Sequence, residues 1–184
     1  MNELNLWERL TGHLNTINKH KMLVMEHCFK AGLYKQGLLH DMSKYTPVEF
    51  IAGVKYYQGY RSPNAAQKEE IGYSKAWLHH KGRNKHHMEY WIDYSADSTK
   101  GMCGMEMPVK YVVEMFCDRV AACKVYKGDD YNDASALEYY RRGHHKYMIH
   151  ENSDKLLCML LTMLAEKGEG YTFAYIRKKV LKKI

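Results

Sequence analysis

The sequence predicts an all-α fold of about seven or eight helices in a single domain. Apolar residues recur at steps of three and four along most of the chain. The three prolines all stand where a helix can begin, and no run alternates as a half-buried strand would. A chain of 184 residues is long enough for one domain with its own core and short for two.

Leu6, Leu10, Leu14, Ile17, Met22, Met25 and Phe29 describe one long amphipathic helix that stops around Gly32. A short helix then carries Leu38, Leu39, His40 and Asp41. Thr46-Pro47-Val48-Glu49 has capping-box spacing with proline at the first helical position, so the next helix runs from Pro47 to about Tyr57 and ends near Gly59. Asn64 caps a helix through Ala65, Ile71, Tyr73, Ala76 and Trp77, which delivers His79 and His80 at its end before Gly82. Another short helix passes through His86, His87, Tyr90 and Trp91. Residues 94–107 read as the longest loop, with Met102, Met105 and Met107 as a flexible cover over a pocket. Pro108 opens a strong helix whose buried side is Val109, Val112, Val113, Phe116, Val120 and Ala121. The last third holds a helix after Asp133 and another from Ser153 to Glu166, packed through Leu156, Leu157, Leu160 and Leu164. A basic terminal helix over 170–184 follows, with Ile176, Val180 and Ile184 as its docking stripe.

The net charge of +7 favours anionic partners. Five scattered cysteines without a CxxC pair suggest neither a disulfide framework nor a thiolate zinc site, which fits a reducing cytosol. No signal peptide and no apolar run of spanning length is visible, so a soluble cytoplasmic protein without a transmembrane segment is expected.

His40-Asp41 is the chemically richest feature. An imidazole nitrogen beside a carboxylate suits a borderline divalent cation, and sequence does not distinguish zinc from manganese, iron, cobalt or nickel. Further donors are needed, and they are present. His13, His20 and His27 share one face of the first helix over roughly 20 Å, so a single ion can use only one. His20 is favoured, because a chain that folds back at Gly32 sets it opposite the end of the second helix; His27 is the reserve. The stretch WLHHKGRNKHHMEYW brings His79, His80, His86 and His87 together with an aromatic wall, and one histidine of each doublet is expected to face inward. Asp118 lies among apolar neighbours one turn after Glu114, where a carboxylate demands a partner, either a cation or a lysine from another helix. Lys44 is placed to hold an anionic oxygen beside the ion.

With those residues in hand, the ordered set His20, His40-Asp41, a distal histidine pair and Asp118 resembles the HD-domain superfamily of metal-dependent phosphohydrolases. LLHDMSK is similar to that superfamily's LLHDxGK core, with Ser43 in place of the usual glycine. More narrowly, HDMSKYTPVEF, AWLHHKGRNKHHMEYW and MPVKYVVEMFCDR resemble an uncharacterised bacterial and phage family over roughly residues 14–142. The resemblance implies an HD-like helical domain in which His20, His40, Asp41 and Asp118 bind one metal ion. His80 and His86 or His87 are then available for a second, and Lys44 for a phosphate.

The expected activity is hydrolysis of a small phosphate ester, nucleotides first by analogy, through metal-activated water. Glu49 or an outer histidine would relay a proton, and Lys44, helped by Lys81 or Arg83, would neutralise developing charge. Two other classes are open. One is a non-catalytic module that metal merely holds together. The other is a nucleic-acid-binding protein using the basic tail and Lys81, Arg83, Lys85, Arg141 and Arg142 with Tyr139 and Tyr140.

Overall fold

Asn5 caps the first helix reciprocally with Glu8, and Gly32 ends it at φ 93°, a left-handed turn that glycine takes without strain. That helix is α1 (Leu6–Ala31), in a computed structural model that describes residues 4–183. The remaining helices are α2 (Tyr34–Leu39), α3 (Pro47–Lys55), α4 (Pro63–Ile71), α5 (Lys75–Lys81), α6 (Val109–Lys127), α7 (Ser135–Gly143) and α8 (Glu151–Tyr175). The fold is all-α apart from two short antiparallel strands, β1 (Ile92–Tyr94) and β2 (Met102–Gly104).

α6 sits at the centre. Residues 112–117 are buried without interruption, enclosed on one side by α1 through Val24 and Cys28 and on the other by α8 through Leu157, Leu160, Leu161 and Leu164. Burial of this order, at about 25 cal/mol per Å², is what holds the helices together. α2 runs back along α1: Gly37 meets Met25, Cys28 and Phe29, while Lys21 Nζ donates to the carbonyls of Leu38 at 3.0 Å and His40 at 2.9 Å. Those bonds satisfy carbonyls left open at the end of α2.

Several elements differ from the sequence expectation, each for a visible reason. The capping box at Thr46 does not form, because Thr46 Oγ1 donates to the Ser43 carbonyl and Glu49 turns toward two histidines. The single helix expected over 64–80 is two, divided at Gly72 (φ 81°) and restarted by Ser74, whose hydroxyl accepts from the Trp77 amide. Residues 88–91 form a 3-10 turn rather than a helix. The long loop pairs with itself as β1–β2. Gly104 permits the close approach to residues 148–150, since a Cβ there would stand 2.7 Å from the Met148 carbonyl oxygen. Met107 is a core residue, its amide donating to Ser153 Oγ. α8 continues past Glu166 across a kink at Gly168 into a π-helical turn (Ile176–Val180). Ile176 is fully buried and Val180 packs beside the core; Ile184 lies outside the described residues. Tyr140, considered above as a stacking ring, has no exposed surface and donates to Asp154 at 2.7 Å. Among the described residues no helix is long and apolar enough to cross a membrane.

Candidate metal centre

The buried stripe of α1 carries His13, His20 and His27, all in the interior. Only His20 reaches the His40-Asp41 pair. Its Nε2 stands 2.9 Å from Asp118 Oδ1 and 3.8 Å from Asp41 Oδ2. His13 packs against Phe50 and Tyr57 with its ring over Gly53, and burial, then the Lys44 charge, pushes its pKa down to about 4. His27 donates from Nδ1 to the Cys117 carbonyl, accepts from Lys124 and stacks on Phe173. Its pKa is also driven to about 4, by burial first and Lys124 second.

The local backbone explains how His40 and Asp41 enter the same space. α2 ends at Leu39, His40 leaves it in extended conformation, and Asp41 adopts φ 53°, ψ 28°. Asp41 is the one non-glycine residue with positive φ among those described. Such a conformation costs an aspartate on the order of 1 kcal/mol and persists where surrounding structure enforces it. The result is a carboxylate held between two sets of donors. Oδ2 lies 3.3 Å from His40 Nε2, and Oδ1 lies 3.3 Å from His80 Nε2 and 3.4 Å from His86 Nε2.

Two groups of four therefore share Asp41. His20, His40, Asp41 and Asp118 bring their donor atoms within 4.8 Å of one another, and so do Asp41, His80, His86 and His87. Four of these atoms, His40 Nε2, Asp41 Oδ1, His86 Nε2 and His87 Nε2, are buried without a hydrogen-bond partner, while His20 Nε2 has Asp118 Oδ1 and Asp41 Oδ2 has Lys44 Nζ as close neighbours. Buried polar atoms are nearly always partnered, so unpartnered donors converging on one place suit a shared cation. Histidine and aspartate donors at this spacing fit a divalent cation, and the clusters could hold one or two.

Three of the five imidazoles, His40, His80 and His86, are also held from behind. Glu114 Oε1 takes His40 Nδ1 at 3.0 Å and His86 Nδ1 at 3.3 Å. Glu49 takes His79 Nδ1 at 2.6 Å and His80 Nδ1 at 2.8 Å, one on each oxygen. With the proton on Nδ1, each Nε2 lone pair is aimed inward; this arrangement fixes ring orientation and strengthens the donor. Ser43 and Asn84 add contacts to His80 at 3.2 and 3.1 Å, and Trp77 stacks on the same ring. Tyr90 and Trp91, also expected as wall, face each other and Tyr111 instead.

The charges are interdependent. Burial opposes ionisation of Asp41, yet His40 and Lys44 outweigh it and hold the carboxyl well below its ordinary range. Burial likewise opposes the charge on Asp118, where His20 and His40 prevail. His40 is pushed well above the usual histidine value, because Asp41 and Asp118 overcome its desolvation. His87, with no such carboxylate in contact, is driven well below by burial and the neighbouring His86 and His80. Lys44 Nζ sits 2.7 Å from Asp41 Oδ2, and its pKa is raised because Asp41 and Asp118 outweigh burial.

His20, His40, Asp41, Asp118, His80, His86, His87 and Lys44 thus meet at one place, with Glu49 one layer out. In the second doublet both histidines face inward, unlike the expectation of one each. Glu114 was not singled out by sequence. A family of unknown function (DUF5662) matches residues 9–163. The chain belongs to it. The DUF5662 match covers every residue of the cluster, from His20 to Asp118, and stops within α8 before the Gly168 kink. No curated protein and no solved structure matches the chain.

Proposed function

We propose that this DUF5662 chain is a metal-dependent phosphohydrolase of small phosphate esters, with nucleotides as the first class to try. The observation that carries the reading is Asp41, whose two oxygens each face a different set of imidazoles without a hydrogen bond to either. A carboxylate so placed suits the bridge between two cations. His20, His40 and Asp118 would complete one ligand set; His80, His86 and His87 would complete the other. The chain order of these residues and the string LLHDMSK are similar to the HD-domain superfamily, which supports the same reading.

Divalent ions at such a site lower the pKa of a bound water toward neutrality and polarise a phosphoryl oxygen. The protein's own groups supply the rest. Lys44, protonated throughout the physiological range, holds positive charge beside Asp41 where a transferring phosphoryl group would accumulate negative charge. Glu49 keeps the Nδ1 protons of His79 and His80 in place, and the partly exposed His79 gives that carboxylate a route to solvent for a proton. The side chains of Lys44 and Asp118 are 28% and 18% exposed, so the cluster opens to solvent on that side. An opening favours catalysis over a closed structural site.

The test is to measure bound metal in the purified protein and to screen phosphomonoesters and nucleotides with manganese, zinc, iron, cobalt and nickel. Metal-dependent release of phosphate, lost in Lys44→Gln with metal retained, is expected. A folded protein that takes up none of these metals would overturn the proposal.

A further inference from the structure

The segment that carries His40 and Asp41 turns an apolar face to solvent. Leu38 is 55% exposed, Leu39 57%, Met42 49%, Val48 52% and Ile51 66%. Two acidic residues occur between positions 30 and 68, Asp41 and Glu49, and both are buried. Residues 30–68 therefore present no exposed carboxylate, and the exposed Glu26, one turn beyond Met22 on α1, is paired with Lys30 at 2.7 Å. Lys21 bonds to the carbonyls of Leu38 and His40, and the Tyr45 hydroxyl donates to Asn18 Oδ1 at 2.7 Å, which sets residues 18–22 of α1 beside residues 38–45. That juxtaposition adds exposed Met22 and Lys19 to the patch, and Lys35 of α2 is exposed nearby.

Exposed apolar side chains gathered in neighbouring segments, as Met22 is beside Leu38, Leu39 and Met42, mark an interaction site more often than singly scattered ones. Its shape and charge select the occupant. Side chains about half exposed or more protrude, as knobs suited to a soft plane rather than a groove suited to a peptide. A second copy of the chain would bring like-charged edges together on a molecule of net charge +7. An anionic lipid surface offers the opposite, apolar depth for the knobs and phosphates for the lysines.

We propose that the face formed by Met22, Leu38, Leu39 and Met42, edged by Lys19 and Lys35, docks the protein onto an anionic lipid surface. The inference goes beyond the phosphohydrolase reading and stands apart from it, since vesicle binding and metal content are measured separately and either can fail alone.

Co-sedimentation of the full chain with vesicles of equal parts phosphatidylglycerol and phosphatidylcholine provides the test, with pure phosphatidylcholine alongside. Binding to the mixed vesicles is expected to exceed binding to the neutral ones by about tenfold or more. Leu38→Ser combined with Leu39→Ser is expected to weaken it by about tenfold while the circular-dichroism melt stays in place. Lys178→Ser with Lys179→Ser, in the tail, is expected to leave it unchanged. Absence of binding to mixed vesicles, or loss confined to the tail variant, would overturn the proposal. So would a dimer in sedimentation equilibrium that the leucine variant dissociates.

Discussion

Replacing Glu114 by Gln removes one charge and keeps the shape, and the structure gives its consequence in some detail. Oε1 of Glu114 holds the Nδ1 of both His40 and His86, one from each ligand group that shares Asp41. A carboxylate behind a ligating imidazole contributes about 10–100-fold to metal affinity. The variant should therefore weaken both groups at once, whereas Glu49→Gln, behind His79 and His80 of which only His80 belongs to a group, should weaken one. Thermal or urea unfolding at fixed free metal makes the loss visible. At a free concentration of about 100 times Kd, binding stabilises the native state by about 2.7 kcal/mol per site; a 100-fold weaker site at the same concentration retains about 0.4 kcal/mol. The metal-free variant should itself be less stable than the metal-free parent, because against burial His40 and His86 hold the Glu114 carboxyl below its ordinary range, so the readout is the increment that metal adds to each protein. The assay is unfolding of parent, E114Q and E49Q, each with chelator and with manganese or zinc. If E114Q keeps the full metal-dependent stabilisation, the imidazoles are not held as described and the reasoning fails.

Stability should also fall with acid for a reason remote from the cluster. His27 is held at a pKa of about 4 in the folded state by burial and Lys124, against about 6.5 when unfolded, so the unfolded chain binds more protons between these values. The stabilisation is complete above about pH 6.5 and declines toward pH 4; His27→Gln should make urea-derived stability shallower across that window by about 1.4 kcal/mol per pH unit. An unchanged slope would show that His27 takes up its proton while folded. At the α1–α3 contact, a Cβ on Gly53 would stand 2.1 Å from His13 Nε2, so Gly53→Ala should cost about 1–3 kcal/mol. A denaturation midpoint equal to that of the parent would mean the two helices separate freely there.

How much of this was readable from residues alone depended on whether the signal was local. α1 and its end at Gly32 were legible because periodicity and a left-handed glycine are properties of a few neighbours. The choice of His20 over His27 was also legible, since the length of α2 after a tight reversal fixes which turn of α1 lies opposite. Glu114 was not. The apolar spacing of α6 marks one buried side and assigns Glu114 no partner, whereas residues 112–117 are enclosed by α1 and α8 together. The one available sign was its spacing of one turn from Asp118 amid apolar neighbours. Thr46 and Glu49 satisfied a local capping rule and the fold used both differently, because a carboxylate able to hold the buried His80 and the partly exposed His79 is worth more there than at a helix start. The break at Gly72 and the pairing of Ile92–Tyr94 with Met102–Gly104 rest on packing against distant segments, which spacing does not encode.

The central claim is that one aspartate joins two groups of metal donors, and counting ions tests it most directly. Metal per chain should be measured by mass spectrometry after dialysis against manganese or zinc, for the parent and for Asp41→Ala, His20→Ala and His86→Ala. The account predicts two equivalents for the parent, about one for each histidine variant, and none for the Asp41 variant. An Asp41 variant that folds and retains the parent's metal would contradict it.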